Sequence, residues 1–469
     1  MAAAAGRCVC RLPLVTRAVR RPPVTSLGVI RPLGAAAAVT DRHRPPVGPS
    51  PLSGGGPGRR YSVQAAGQPA PLHQVVKAVN NRTSGCVDLV WNFGSVTPFP
   101  YVWLRDSCLC PDCFHPTTLS RSLRIDQLQV DIEPQSVQND SAAQQLVVTW
   151  PDGHVSRYPH QWLRERSFAK RDVKARRKQL DGPKTVLWDR ATMDRHLLHV
   201  DYDRLVGGDL ATLHDALHHL IVYGLVLVRK APTDFGAVEE IGETLGHVRP
   251  THYGKTFRVA SKVDANNLAY TANELAPHMD LTYYEYMPGV QMLHCISQHI
   301  GDGGESIFSD SFHVAEVIRA RRPDLFHLLA TVPFEFADIG EEAESRSRCR
   351  FHKIHERTMF CIDEDGNITQ VATNNPVRSY RLNVPLELVK PMYEGLRMFN
   401  DLCRHPDNQL TFKMDNGDVA VFNNRRVTHG RLGFTVTEDS QRTLEGGYVD
   451  WDDIMCRYRI VTDLLRERP

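Results

Sequence analysis

Two histidines, an aspartate and an arginine have the types and the order that an iron centre requires. His278 and Asp280 are separated by one residue, and His429 and Arg442 follow much later in the chain. Two histidines and one carboxylate can occupy one face of an iron(II) ion and leave three positions open for a co-substrate and O2. An arginine beyond the second histidine can bind a carboxylate through paired hydrogen bonds. The set therefore predicts an iron oxygenase that consumes 2-oxoglutarate.

The histidine-x-aspartate pattern is short, so its context has to separate it from chance matches. Residues 199–201 and 405–407 match the pattern as well as residues 278–280 do. Of the three matches, only residues 278–280 lead into a long apolar run. That run, residues 289–296, is typical of a buried strand. We therefore expect the iron ligands at 278 and 280.

The distal ligand also has strand-like neighbours. Asn416 and Gly417 form a turn signal that leads into an apolar strand ending at Phe422, shortly before His429. Another strand-like segment, residues 442–448, follows. Ligands at the ends of strands in a β scaffold are held rigidly, as an open metal site requires.

The first 61 residues differ in composition from the rest of the chain. They contain ten arginines, no lysine and a single acidic residue, Asp41. Such arginine-rich, acid-poor N-termini are typical of mitochondrial transit peptides, with a plausible processing point at Ser62. We expect residues 1–61 to be a disordered transit peptide and the protein to lie in the mitochondrial matrix; the alternatives are an untargeted tail and a cytoplasmic protein.

The net charge is informative once this segment is set aside. A leader charge of +9, set against +2 for the whole chain, leaves −7 for residues 62–469. A mildly acidic protein is a poor candidate for nucleic-acid binding and suits a small cationic substrate better. Apolar runs do not reach the ~20 residues that a membrane helix needs, so we expect no membrane insertion.

Three cysteines within six residues, Cys108, Cys110 and Cys113, predict a metal site in the N-terminal half. Thiolates this close repel unless a cation holds them, and Zn²⁺ takes four ligands in tetrahedral geometry. His154, on a turn after a strand, is a better fourth ligand than the adjacent His115, which would strain a short loop. The alternative is a reduced, metal-free cysteine-rich loop.

These signals divide the chain into regions. Residues 84–165 are predicted to be a small zinc-binding β domain, and residues 166–194 a charged linker or helix. From residue 195 to 465, strand-like runs alternate with a few helices, predicted at 236–245, 312–318 and 386–403. A mainly β domain with covering helices fits a jelly-roll barrel, also called a double-stranded β-helix, whose mouth can hold a metal.

Longer motifs add a resemblance to a known family. Together with the iron triad and the three cysteines, residues 264–271, 288–295 and 444–452 resemble the gamma-butyrobetaine dioxygenase and trimethyllysine dioxygenase family, and the first of these enzymes more closely. The resemblance covers residues 85–465 and implies that His278, Asp280 and His429 bind iron. It further implies that Arg442 binds 2-oxoglutarate, with Leu293 and Ser306 nearby.

The resemblance also implies the substrate site. A quaternary ammonium group cannot donate a hydrogen bond, so aromatic faces recognise it through cation–π attraction. The positions that match this aromatic cage are Tyr253, Phe257, Tyr270 and Tyr448. Asn267 would face the substrate carboxylate, helped by one of Asn374 and Asn375.

Four departures from the family pattern concern the substrate more than the reaction. Phe257 stands where the butyrobetaine enzyme has tryptophan, and Met279 replaces threonine between the first two iron ligands. Arg425 replaces the tryptophan of an Asn-Trp-Arg motif, and residues 281–285 also differ. We expect weaker cation binding in the cage or a different substrate, and little effect of Met279.

The activity that the resemblance implies is hydroxylation of gamma-butyrobetaine to L-carnitine, a step of carnitine biosynthesis. It would be coupled to oxidation of 2-oxoglutarate to succinate and CO2, with ascorbate keeping the iron reduced. The alternatives are 3-hydroxylation of N6-trimethyllysine and an inactive paralogue that binds quaternary ammonium metabolites. A homodimer is expected from the resemblance alone.

Overall fold

The structure, a computed structural model, describes residues 73–180, 182–260, 272–341, 350–434 and 442–467. The predicted transit peptide and the predicted substrate residues Asn267 and Tyr270 lie outside these ranges. Within them, none of the helices is both long enough and apolar enough to cross a bilayer.

Two three-stranded antiparallel sheets, each followed by a short helix, make up most of the N-terminal region. A small hairpin lies between them, and a charged helix follows. The elements are β1 (Val75–Asn81), β2 (Cys86–Trp91), β3 (Val96–Pro100), α1 (Tyr101–Asp106), β4 (Phe114–His115), β5 (Ser120–Arg121), β6 (Ser136–Asp140), β7 (Gln145–Thr149), β8 (Val155–Pro159), α2 (His160–Glu165) and α3 (Lys170–Leu180). The region begins ahead of the predicted boundary at residue 84, and α3 lies in the predicted charged linker.

The two sheets share one sequence pattern, an internal repeat that was not predicted. In the first sheet the buried Trp91 indole donates a hydrogen bond to the Thr97 hydroxyl (3.0 Å). In the second, Trp150 donates to Ser156 in the same way (2.9 Å). A buried indole N–H needs an acceptor. The pattern Trp-x-x-Gly-x-Val-Thr/Ser, in which x is any residue, supplies that acceptor and stabilises each hairpin.

The C-terminal region contains fourteen strands and eight helices among the described residues. The strands are β9 (Leu198–Asp201), β10 (Leu225–Arg229), β11 (Thr256–Ala260), β12 (Leu275–His278), β13 (Val290–Ser297), β14 (Ser306–Asp310), β15 (Pro333–Glu341), β16 (Arg350–Thr358), β17 (Phe360–Ile362), β18 (Ile368–Val371), β19 (Gln409–Phe412), β20 (Val419–Asn423), β21 (Val427–Arg431) and β22 (Thr443–Val449). The helices are α4 (Arg190–His196), α5 (Tyr202–Val206), α6 (Leu210–Val222), α7 (Ala237–Leu245), α8 (Ser311–Arg321), α9 (Pro323–Thr331), α10 (Leu386–Cys403) and α11 (Trp451–Arg466).

Two sheets enclose the core of this region. One has six strands in the order β11-β22-β13-β20-β10-β9, and the other has four in the order β12-β21-β14-β19. Leu225 and Leu227 of β10 pack in one buried cluster with Phe308 of the four-stranded sheet. Val226 and Val228, on the opposite face of β10, pack in a second cluster against helices. A strand buried on both faces is apolar throughout, which explains the run Leu-Val-Leu-Val.

The predicted mainly β architecture with covering helices is therefore confirmed. Helix α10 has the predicted bounds and buries Met392 and Phe399. Helices α7 and α8 lie at the predicted places, and α8 ends shortly before Pro323. Two sheets that enclose one core are the arrangement expected for a jelly roll.

Candidate iron and substrate site

Adjacent strands bring the three predicted iron ligands together. His278 ends β12 and is paired directly with His429 of β21. Asp280 follows two residues later, and its Oδ1 lies 3.2 Å from Nε2 of His278 and 3.8 Å from Nε2 of His429. The three ligand atoms all lie within 4.8 Å of one another. This spacing lets one ion contact all three.

Hydrogen bonds to His278 and Asp280 leave one lone pair of each for a metal. Nδ1 of His278 donates to the Ala276 carbonyl (3.0 Å), which leaves Nε2 as the free ring nitrogen. Oδ2 of Asp280 accepts hydrogen bonds from the Tyr448 hydroxyl (2.8 Å) and from the Gln291 amide (2.7 Å). Oδ1 of Asp280 is thus the oxygen that faces both histidines.

The protonation states of His429 and Asp280 also suit metal binding. Burial lowers the pKa of His429 to about 3, so the ring is neutral and can act as a ligand. Burial alone would raise the pKa of Asp280, but its contacts with His278 and His429 hold that pKa well below its usual range. Two neutral imidazoles and one carboxylate on one side of an open position are the donor set that iron(II) oxygenases use.

The two competing sequence matches do not form a second site. The side chains of His405 and Asp407 are 56% and 83% exposed, and those of His199 and Asp201 lie at the edge strand β9. Among the described residues, ligand atoms gather in two places only, the 278–280–429 set and the cysteine cluster.

Two buried arginines lie near each other, and one of them, Arg431, is on the same strand as His429. Arg442 immediately precedes β22, is 5% exposed, and its Nε has no hydrogen-bond partner among the described residues. Burial lowers its pKa to about 10, and burial together with the charge of Arg442 also lowers the pKa of Arg431. Ser306 is paired with Arg431 across β14 and β21, and Leu293 is paired with Gly446 in the neighbouring sheet. A buried cation with no counter-ion among the described residues fits a ligand that brings a carboxylate.

Three of the predicted aromatic residues form a continuous surface that reaches the iron ligands. The Tyr253 ring lies 5.8 Å from the Phe257 ring, which stacks on Tyr448 at 5.3 Å. Phe257 lies across β22 because Gly446 has no side chain: a Cβ there would come within 2.3 Å of the Phe257 ring. The Tyr448 hydroxyl then binds Asp280. This is the surface that a cation–π site needs, next to the open metal position.

The two asparagines that the sequence left undecided differ in their surroundings. Asn374 is buried, donates to the Met279 carbonyl (3.0 Å), and keeps a buried Oδ1 with no hydrogen-bond partner among the described residues. Asn375 is exposed and accepts from Arg378. Asn374 is therefore the one in contact with the iron-ligand segment. The side chain of Met279 packs into the core, as expected.

Two further residues of the site were not predicted. Gln291 binds the non-ligating oxygen of Asp280, and Asn424 binds the Asp280 backbone at both N–H (2.9 Å) and carbonyl (3.0 Å). A glutamine inside the apolar run 289–296 was a usable signal, because buried polar side chains need partners. The role of Asn424 depends on a contact between residues far apart in the chain, which a sequence pattern does not reveal.

The cysteine cluster has the predicted composition. Nε2 of His154 lies 3.3, 3.6 and 3.6 Å from the sulfurs of Cys108, Cys110 and Cys113. Tetrahedral zinc with Zn–S of about 2.3 Å and Zn–N of about 2.0 Å would place a sulfur and a nitrogen about 3.5 Å apart. His115 instead hydrogen-bonds within its own turn. The four residues therefore fit a closed tetrahedral site.

The second repeat has an ion pair where the first repeat has the cysteine cluster. In the first repeat Arg105 donates to the Cys113 sulfur (3.3 Å). At the matching positions of the second repeat, Arg164 forms an ion pair with Asp172 (2.5 Å). A carboxylate that neutralises the arginine directly thus replaces the thiolate cluster.

Comparison with known proteins agrees with this geometry. Residues 194–448, more than half of the chain, match the model of the taurine catabolism dioxygenase TauD, TfdA family, and residues 79–164 match that of gamma-butyrobetaine hydroxylase-like N-terminal domains. The chain belongs to the TauD/TfdA dioxygenase family. It is an iron(II)- and 2-oxoglutarate-dependent dioxygenase.

Within that family, relatives extend over both regions. Human gamma-butyrobetaine dioxygenase is 34% identical over 80% of this chain and 94% of its own length. Trimethyllysine dioxygenase, mitochondrial, from Rattus norvegicus is 31% identical over 78% of this chain and 83% of its own length. Gamma-butyrobetaine dioxygenase from a Pseudomonas species is 30% identical over 83% of this chain and 97% of its own. The chain is thus a member of the gamma-butyrobetaine and trimethyllysine dioxygenase group of TauD/TfdA enzymes.

Proposed function

We propose that this dioxygenase hydroxylates gamma-butyrobetaine to L-carnitine. The observation that carries the proposal is the continuous surface of Tyr253, Phe257 and Tyr448, which ends in a hydrogen bond to the iron ligand Asp280. A trimethylammonium group held by these rings would place the carbon chain of the substrate toward the metal.

Each group of residues has a separate task in this reaction. Iron held by His278, Asp280 and His429 would activate O2 as 2-oxoglutarate is oxidised to succinate and CO2. Arg442, which is buried and has no ion pair with a described residue, would bind the distal carboxylate of 2-oxoglutarate. The aromatic surface would hold and orient the substrate, and orientation of one C–H bond accounts for a large part of such catalysis.

The other end of the substrate distinguishes two candidates. Gamma-butyrobetaine carries only a carboxylate there, which Asn374 or Asn375, together with Asn267, would receive. Trimethyllysine also carries an α-amino group and needs an additional acceptor, which makes its 3-hydroxylation the second candidate. Because the identity to relatives with either activity is close to 30%, turnover has to decide.

The test is substrate-dependent turnover of 2-oxoglutarate by the iron-loaded protein with ascorbate, measured as succinate. We expect gamma-butyrobetaine to stimulate succinate formation far more than trimethyllysine does. The reverse preference would assign the chain to trimethyllysine hydroxylation. Loss of turnover with both substrates despite bound iron would support the third candidate, an inactive paralogue that binds quaternary ammonium metabolites.

Four further assignments accompany the proposal. Zinc at Cys108, Cys110, Cys113 and His154 would be structural, because a closed tetrahedral site has no open position. Ascorbate would keep the iron reduced. The arginine-rich leader would direct the chain to the mitochondrial matrix, with the cytoplasm as the alternative, and the enzyme would be a homodimer. Metal analysis, N-terminal sequencing of the protein isolated from mitochondria and light scattering test these assignments.

A further inference from the structure

The side chains that hold the Asp280 carboxylate come from a different sheet than the two histidine ligands. His278 and His429 are paired on β12 and β21 of the four-stranded sheet. Gln291 and Tyr448 are paired on β13 and β22 of the six-stranded sheet. Asp280 contacts both pairs. Its carboxylate is therefore held between the two sheets.

Both donors of the six-stranded sheet act on the same oxygen of Asp280. The Gln291 amide donates to Oδ2 at 2.7 Å, and the Tyr448 hydroxyl donates to it at 2.8 Å. Gln291 and Tyr448 are each only 1% exposed, so water does not compete for these hydrogen bonds. Oδ1 instead faces Nε2 of His278 and of His429, at 3.2 and 3.8 Å. The two oxygens of one carboxylate thus have separate surroundings.

The main chain around Asp280 is fixed as well. The Asn424 side chain binds the backbone N–H of Asp280 (2.9 Å) and its carbonyl (3.0 Å). The preceding residue, Met279, donates its N–H to the Thr373 carbonyl (2.8 Å). Because the backbone is held, Oδ2 can approach the histidines only if the Asp280 side chain rotates. The hydrogen bonds on Oδ2 oppose that rotation.

The number of carboxylate oxygens on the metal decides how many coordination positions stay open. A carboxylate can bind a metal ion through one oxygen or through both. Two imidazoles and one carboxylate oxygen leave three positions of iron(II) open. A second carboxylate oxygen would occupy one of the positions that 2-oxoglutarate and O2 need. The donors on Oδ2 therefore concern co-substrate binding as well as iron binding.

We propose that Gln291, together with Tyr448, is a positioning residue that restricts Asp280 to one ligating oxygen and so keeps a coordination position free for 2-oxoglutarate. Either donor alone still occupies Oδ2, so the loss of one should be largely compensated by the other. Loss of both donors frees the oxygen. The inference rests on the iron ligands of the proposed function and does not depend on which substrate is hydroxylated.

A double-mutant cycle of Gln291→Met and Tyr448→Phe tests this inference. Calorimetry under nitrogen would measure 2-oxoglutarate binding to the full-length enzyme at saturating iron(II), so that a lower iron affinity does not enter. Each single variant is expected to weaken 2-oxoglutarate binding by about threefold at most. The double variant is expected to weaken it by about thirtyfold or more, beyond the product of the single effects.

Gln145→Met is the matched control. The Gln145 amide donates to Oδ2 of Asp140 across β6 and β7 (3.4 Å), so this variant removes an amide–carboxylate hydrogen bond of the N-terminal region. Its 2-oxoglutarate affinity should equal that of the wild type, and a loss there would overturn the inference. Single effects that simply multiply in the double variant would also overturn it, as would a lower melting temperature with unchanged 2-oxoglutarate affinity. If the double variant does not retain iron, unchanged 2-oxoglutarate affinity in Gln291→Met overturns it.

The inference and the proposed function fail separately, because the titration contains no substrate for hydroxylation. The expected coupling in an enzyme that does not hydroxylate gamma-butyrobetaine would refute the proposed reaction and leave the inference standing. Multiplying single effects in an enzyme that forms L-carnitine would do the opposite.

Discussion

The hydroxyl of Tyr448 donates a hydrogen bond to Oδ2 of Asp280 at 2.8 Å, so one side chain belongs both to the proposed substrate cage and to the support of a predicted iron ligand. The ring of Tyr448 stacks on Phe257, and its hydroxyl holds the carboxylate so that Oδ1 faces the two histidines. Substrate binding and metal binding therefore share a structural element.

Because of this double role, Tyr448→Phe should change iron affinity and quaternary ammonium affinity to different extents. The ring remains, so the affinity for a quaternary ammonium ligand should change little. Loss of the hydrogen bond should lower iron affinity about tenfold or more, as removal of such supporting groups does in other metal sites. Iron titration of the metal-free protein measures this. Tyr458→Phe, which removes a hydroxyl that contacts His218 away from the site, is the control, and unchanged iron affinity in Tyr448→Phe would contradict the account.

Phe257 offers a gain-of-affinity prediction. Tryptophan is the best aromatic partner for a cation, so Phe257→Trp should lower the KM for a trimethylammonium substrate about two- to fivefold, with the KM for 2-oxoglutarate unchanged. Gly446→Ala should have the reverse effect, because its Cβ would collide with the Phe257 ring. Steady-state kinetics of the two variants tests both statements. An increased KM in Phe257→Trp would place the cation elsewhere.

The N-terminal site predicts one zinc ion per chain, detectable by elemental analysis of the purified protein. Cys113→Ser should abolish zinc binding and lower the melting temperature, because the binding energy of a structural zinc is folding energy. Iron content at the catalytic site should be unaffected. Cys86→Ser replaces a free cysteine outside the cluster and should keep the zinc. Zinc-free wild-type protein with an undiminished melting temperature would refute the assignment.

The ion pair in the second repeat predicts a pH dependence of stability. The hydrogen bond from Arg164 lowers the pKa of Asp172 to about 2, below its unfolded value of about 3.9. A depressed carboxyl pKa contributes stability at neutral pH that is lost as the pH falls through about 4 toward 2. Asp172→Asn should therefore cost about 1–2 kcal/mol at pH 7, and the difference from wild type should shrink at pH 3.

Urea unfolding at the two pH values measures this difference. Asp131→Asn, which removes an exposed carboxylate of the same region, serves as the control and should be neutral at both. If Asp172→Asn destabilises the protein equally at pH 7 and pH 3, the ion pair is not the cause.

Local patterns in the sequence were sufficient to predict the iron ligands. His278, Asp280 and His429 could be located because each lies beside an apolar run or a turn signal, and the structure brings them together on adjacent strands. The cysteine cluster and its histidine partner were predictable for a similar reason: thiolates this close need a cation, and His154 lies on a tight turn.

Contacts between distant parts of the chain could not be predicted in the same way. Gln291 and Asn424 act on Asp280 through side-chain hydrogen bonds that depend on how the two sheets face each other. Which of Asn374 and Asn375 is buried likewise depends on which side chain the backbone turns inward.

The most direct test of the central claim, that this iron site hydroxylates a trimethylammonium substrate held by the Tyr253, Phe257 and Tyr448 rings, is the stoichiometry of the products. Iron-loaded enzyme with 2-oxoglutarate, ascorbate, O2 and gamma-butyrobetaine would be analysed by mass spectrometry for succinate and hydroxylated substrate. The account predicts L-carnitine and succinate in equal amounts. Succinate formation that is indifferent to gamma-butyrobetaine, with the substrate recovered unchanged, would contradict it.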